Sequence, residues 1–329
     1  MRRRKSTIAL GATAVVLVAG AAVLRFVVVP AVHQVPDDLD ATARYAGTAS
    51  MLNAAALKTG DSKNAFLKGI PVTGAQRVRV TGTDGGTAVV DEDLTVRTRD
   101  GKKLRTAHHR YAIDRVDLDA AKPPDGSKAE RHQGLVVGFP LTPARTDYPF
   151  WDAATQATAP AAYRKTVTRE GREAYVYRFR QAGKVAEPAQ LAALPKALPK
   201  AQLKGLAAGK PAAERKKLAA ALAALPDPVP LTYTSTADTT FTIDSGTGTP
   251  LHTAKTQTVT ANIAGSTPLA QVMDLRLAST PASVKERAAD AADAARLLSL
   301  AKNVIPAALL GLGVLLAAAA VWTARRRNP

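Results

Sequence analysis

The sequence predicts an α+β protein: a large antiparallel β-rich extracytoplasmic domain with a helical insertion, set between N- and C-terminal transmembrane helices. Three observations predict it. Apolar runs long enough to form a spanning helix stand near both ends, at 8–29 and 304–323. Between them, apolar residues recur with period two and the segments are joined by Gly-bearing turns, as in an antiparallel meander. One stretch, 187–226, abandons that pattern for Ala, Leu, Lys and Pro.

A helix of about 20 apolar residues crosses a hydrocarbon core of roughly 30 Å. Arg2, Arg3, Arg4 and Lys5 precede the first run, and Arg325, Arg326 and Arg327 follow the second. Positive flanks stay on the cytoplasmic side. The basic tails 1–7 and 324–329 are therefore expected inside the cell, and 30–303 outside it, in a two-pass protein of the cell membrane with the lipid bilayer as partner. The first run has a second reading as a secretory signal peptide, with small residues at Ala19-Gly20-Ala21. Its continuation through Val27-Val28-Val29 exceeds a signal core of about 7–15 residues and favours an uncleaved anchor. Arg25, near the outer end, has a stem long enough to reach the interface.

After Pro30 and Pro36 comes the acidic patch Asp37, Asp38 and Asp40. A strand follows over 41–49 and a short helix over 53–67. Strands are then expected at 76–81, 87–98 and 104–116, joined by Thr83-Asp84-Gly85-Gly86 and Arg99-Asp100-Gly101-Lys102. Residues 167–180 repeat the device around Glu170-Gly171, with Tyr175 and Tyr177 on one face and Val176 and Phe179 elsewhere. A last threonine-rich set covers 231–243, 249–263 and 270–277. In the insertion, Leu218, Leu222 and Leu225 share a helical face, while Pro195, Pro199 and Pro211 cut the stretch into short helices that cover a sheet edge or project outward. Residues 283–303 read as a helix leading into the second run, with Pro306 as a kink at the junction. Gly313 and Ala317 form a small-residue face suited to helix pairing.

The net charge is +18; the outer region carries 37 basic and 27 acidic residues, a net of +10. Such a domain is attracted to anionic lipids or wall polymers. There is no cysteine, so neither a disulfide framework nor a thiolate metal site is available. None of the five histidines, His33, His108, His109, His132 and His252, has metalloprotease spacing, and neither a Gly-x-Ser-x-Gly elbow nor a phosphate loop occurs. No catalytic residue, metal site, cofactor or nucleic-acid partner is expected.

The order Val35-Pro36-Asp37-Asp38, Tyr45-Ala46-Gly47, Tyr111-Ala112-Ile113-Asp114-Arg115, Gly138-Phe139-Pro140, Tyr148-Pro149-Phe150-Trp151-Asp152 and Ile243-Asp244-Ser245-Gly246-Thr247-Gly248, closed by the second apolar run, resembles the actinobacterial Porin A family. The likeness runs from Leu24 to Arg325 and implies an envelope protein of largely unassigned activity. A barrel porin needs strands with an outward apolar face, whereas these are rich in Arg, Asp and Thr. The architecture is also similar to that of CD36-type scavenger receptors, which carry lipids through a tunnel in a doubly anchored outer domain.

Three groups are candidate sites. Tyr148, Phe150 and Trp151 either anchor the core or line a ligand cavity. Arg97, Arg99, Lys102, Lys103, Arg105 and Arg110 cluster around one turn and either grip phosphate on anionic lipids or polymers, or form a solvated hairpin neutralised by Asp91, Glu92 and Asp93. Asp244-Ser245-Gly246 has the form of an aspartic-protease loop but lacks a second such loop, and is ordinary turn chemistry. The expectation is a non-enzymatic envelope protein that binds or passes a lipid-like or apolar ligand. The alternatives are a scaffold using the insertion, with an envelope protein as partner, or a homo-oligomeric porin-like channel.

Overall fold

The computed structural model describes residues 13, 15–22, 34–53, 56, 59, 61, 64–207 and 211–325. The chain forms two compact units, one of residues 1–36 with 289–329 and one of residues 37–288.

The second unit is built on one ten-stranded antiparallel sheet. Its strands are β1 (Asp40–Leu52), β2 (Phe66–Asp84), β3 (Thr87–Thr98), β4 (Lys103–Asp114), β5 (Tyr148–Asp152), β6 (Ala157–Arg169), β7 (Arg172–Lys184), β10 (Thr232–Asp244), β11 (Pro250–Ile263) and β12 (Thr267–Ser279). A two-residue pair, β8 (Ala197–Leu198) and β9 (Val229–Pro230), forms a separate ribbon. The order in the large sheet is β4-β3-β2-β1-β12-β11-β10-β7-β6-β5. Each expected meander strand is present, and most run longer than their period-two cores because the pairing continues past the apolar alternation. Phe66 and Leu67, expected at the end of a helix, instead open β2 opposite Leu52 and Met51. The rest of that helix falls largely outside the described residues; Ala56 is helical.

The sheet is strongly curled, and one bond measures how much. In a flat sheet β4 and β11, five places apart, would be separated by about 24 Å. Yet Arg105 on β4 donates to Gln257 on β11 at 3.0 Å. The segment 115–147 covers both edges. Ala121 and Glu130 donate to Ala112 and Arg110 of β4 at 2.9 and 2.7 Å. Leu135 donates to Pro149 at 2.8 Å and accepts from Trp151 at 2.9 Å, along β5. Both edges that would otherwise invite strand addition are thereby used.

Pairing register divides the side chains. The inner face takes Tyr45, Gln76, Glu92, Arg105, His109, Lys255, Gln257, Tyr177, Phe179 and Phe150. Phe179, expected apart from Tyr177, shares its face because the two are two residues apart on β7. The outer face carries neighbour-strand ion pairs: Arg77 with Asp40 at 2.7 Å, Arg110 with Asp91 at 2.6 Å, and Arg178 with Asp238 at 3.0 Å.

The insertion folds as α1 (Pro188–Ala192), α2 (Lys200–Ala207) and α3 (Ala212–Ala223). Leu203, Leu218 and Leu222 are buried against Tyr233, Val259, Ile263 and Leu269. The helices therefore pack over the central strands β10–β12 rather than along a sheet edge.

In the C-terminal region α4 (Pro281–Ser299) continues through a π-helical turn, Leu300–Val304, into α5 (Ile305–Arg325). The widened turn sits just before Pro306, whose ring crowds the carbonyl four residues back. Residues 281–322 are long and apolar enough to cross a membrane. Gly313 and Ala320 are buried whereas Ala317 is exposed, so the small-residue face runs through Gly313 and Ala320. Of the first apolar run, residues 15–22 are helical and Ala21 is buried; the remainder of that expected span lies outside the described residues.

Candidate functional site

The inner face of the curled sheet holds two contrasting groups. At one end is an aromatic cluster. Phe139 stacks on Tyr177 at 4.6 Å and meets Phe241 at 5.4 Å and Tyr148 at 5.6 Å. Phe150 contacts Phe179 at 5.3 Å and Phe241 at 5.0 Å. The loop that delivers Phe139 is held by the Asp244 turn. Gly248 has φ +68°, and a Cβ there would lie 2.3 Å from the Pro140 carbonyl oxygen. Only glycine allows that approach.

Asp244 itself is fully enclosed and accepts from Thr247 N–H and Oγ1, both at 2.8 Å, and from Arg172 at 2.5 Å. Burial raises its carboxyl, but the bonds from Arg172 and Thr247 prevail and hold it below the usual range. Both its oxygens are engaged, by the turn and by Arg172, as the turn reading of Asp-Ser-Gly expects.

Beyond the aromatic cluster the inner face turns ionic. Lys255 donates to Gln76 Oε1 at 2.9 Å and lies 4.8 Å from the centre of the Tyr45 ring. Tyr45 donates to the same oxygen at 3.1 Å, and the Gln76 amide nitrogen donates to Glu92. Arg105, besides Gln257, approaches Glu187 at 3.8 Å. His109 meets Glu130 at 3.1 Å and Glu187 at 3.5 Å. Its neighbour His108 points to the outer face and pairs with Asp93 at 2.8 Å, as strand alternation requires.

Burial governs this group. It pushes the Glu92 carboxyl up, against the opposing pull of Lys255, and brings Lys255 down to about 8 despite Glu92. Burial likewise lowers the Arg105 guanidinium. For His109 burial acts downward, but Glu130 wins and raises it. Glu92, Lys255 and Gln257 are nonetheless only half-buried. Arg105, Lys255, Gln76, Glu92 and Gln257 form one polar network across four strands of the inner face.

The structure distributes the predicted site residues unequally. Tyr148 and Phe150 enter the aromatic cluster, while Trp151 faces the other side of β5. Of the basic group, Arg97, Arg99, Lys102 and Lys103 are exposed around the β3–β4 turn. Arg105 turns inward, and Arg110 is bound to Asp91 on the outer face. Gln76, Glu187, Lys255 and Gln257 carried no expectation, and Glu92 only that of neutralising the β3–β4 hairpin. Glu92 stands in phase with Val90, Leu94 and Val96, and a carboxylate in an apolar register was the available signal.

A family profile described as Porin PorA matches residues 6–322. The chain belongs to the Porin PorA family. Membership points to an envelope protein of porin-like kind. No curated protein matches the chain. Among solved structures, the full-length peroxisomal multifunctional enzyme type 2 from Drosophila melanogaster is 12% identical with a TM-score of 0.15, covering 74% of this chain and 37% of that one. The chain thus spans about a third of that enzyme. A conserved hypothetical protein from Mycobacterium tuberculosis with a double hotdog fold is 16% identical with a TM-score of 0.16, covering 81% of this chain and 80% of that one. Likeness at these scores carries no reading of fold or function.

Proposed function

We propose that this PorA-family chain is a membrane-anchored, non-enzymatic envelope protein whose outer domain takes a lipid-like ligand into the curled sheet. The supporting observation is the half-buried ionic group of Glu92, Arg105, Lys255 and Gln257 set beside an aromatic cluster on one inner face. Such a lining matches an amphiphile, with its polar head at Arg105 and Lys255 and its apolar part toward Phe241 and Tyr45. Buried charged groups are costly to keep for stability alone. Two spans, with the arginine tails inside, complete the topology in this reading.

The test is native mass spectrometry of the full-length chain extracted in mild detergent. A bound mass should accompany the parent protein and be lost in Arg105→Leu. Ligand-free protein, together with no displacement of a fluorescent fatty-acid probe, sinks the reading. The family description supports a second reading, an oligomeric channel. The outer face, with Arg77–Asp40 and Arg178–Asp238, cannot be a lipid-facing barrel surface, so a pore would have to be built from helices. Planar-bilayer recordings that stay silent at all protein doses reject it.

A further inference from the structure

The charges of the outer domain are separated end to end. Because the strands alternate in direction, the β3–β4 turn and the insertion, which lies between β7 and β10, fall at the same end of the sheet. The ion pair between Arg105, just after that turn, and Glu187, where the insertion begins, confirms their adjacency. Residues 97–103 and 187–227 together carry eleven Lys and Arg against four Asp and Glu. One of those acids, Glu187, is buried.

The opposite end has the reverse balance. Its connections 37–39, 84–86, 114–119, 169–173 and 244–249 carry nine Asp and Glu against three Arg. The domain begins there at Asp37, which pairs with Arg115. It also ends there, where Arg44 N–H donates to Ser283 at the start of α4 at 3.2 Å. The twelve residues of β4 put about 40 Å between the two ends.

We infer that the basic end is a docking surface for an anionic polymer of the envelope, one that repeats phosphodiester or carboxylate groups. Arg97, Arg99, Lys102 and Lys103 on the hairpin, with Lys216 and Lys217 on α3, are all exposed. They form a broad multivalent surface that suits a chain of regularly spaced anions. The surface lies at the end of the sheet remote from Asp37 and Ser283, between which the sheet domain is strung. Neither basic segment contains an aromatic residue, so the platform that stacks nucleic-acid bases is missing.

The test uses the full-length chain in phosphatidylcholine nanodiscs, titrated with fluorescein-labelled poly(glycerol phosphate). Binding should weaken steeply with salt as counterions are displaced. It should fall about tenfold in the combined variant Arg97→Glu, Arg99→Glu, Lys102→Glu, Lys103→Glu. The pair Lys216→Glu, Lys217→Glu should show a smaller loss. Asp38→Lys with Asp84→Lys, at the acidic end, should bind as the parent or more tightly. Parent-like affinity in whichever basic variant keeps the parent melting temperature overturns the proposal. So does an equal loss in the acidic-end variant. Stronger binding to phosphatidylglycerol vesicles than to the polymer also overturns it, by assigning the surface to lipid.

Discussion

On the outer face of the sheet Arg77 meets Asp40 from the adjoining strand, and Arg178 meets Asp238 in the same way. On the inner face Arg105 meets Gln257 from five strands away, and Lys255 meets Gln76 from three. The outer pairs need only correct register. The inner contacts need the curl, and they hold charge where water is scarce. The same residue types therefore have different roles on the two faces: local neutralisation outside, and an enclosed polar network inside.

The contrast can be broken by substitution. The largest effect is expected from Phe139→Ala, which empties the centre of the aromatic cluster and should cost about 3–5 kcal/mol in denaturant unfolding. A loss below about 1 kcal/mol would mean that the cluster is loosely packed. Next comes Arg172→Ala, which strands the buried Asp244 carboxylate at a cost of about 3 kcal/mol. Because Asp244 titrates below its unfolded value, its contribution is present above the ordinary carboxylate range and is lost as pH falls through the lowered value. Arg172→Ala should flatten that acid dependence, and an unchanged acid limb would exclude Asp244 as its source.

Lys255 gives a smaller effect, of the same sign but at alkaline pH. Its folded value near 8 lies below the ordinary 10.5, so between these values the unfolded chain holds more protons and stability rises with pH. Lys255→Met should remove this rise, shifting the difference in melting temperature between pH 8 and 10 by more than about 2 °C. Identical pH profiles would mean that Lys255 is freely solvated. The smallest effect is expected outside: Arg77→Ala should move the denaturation midpoint least of the four, and less still in high salt. A larger shift would show that the outer ladder carries the curl.

Much of this was legible in the residues. The hairpin at Asp84-Gly85-Gly86 and the alternation in β3 and β4 appeared where expected, because turn chemistry and period two are local. Leu218 and Leu222 revealed the buried side of α3 for the same reason. The partner of that side did not show, since nothing in the insertion distinguishes β10–β12 from a sheet edge. Arg105 and Arg110 looked alike within one basic cluster. Their five-residue spacing places them on opposite faces, and only the curl gives Arg105 its partners.

By itself the sequence determined the antiparallel meander, the apolar C-terminal helix and the cysteine-free, basic character of the sheet domain. These follow from short-range periodicity, segment length and composition. The tertiary structure alone decided that the sheet curls, that segment 115–147 covers both edges, and that Glu92, Arg105 and Lys255 share an interior. The inner-face contacts Arg105–Gln257 and Lys255–Gln76 join residues more than a hundred positions apart, and they depend on twist accumulated over ten strands, which no local pattern encodes.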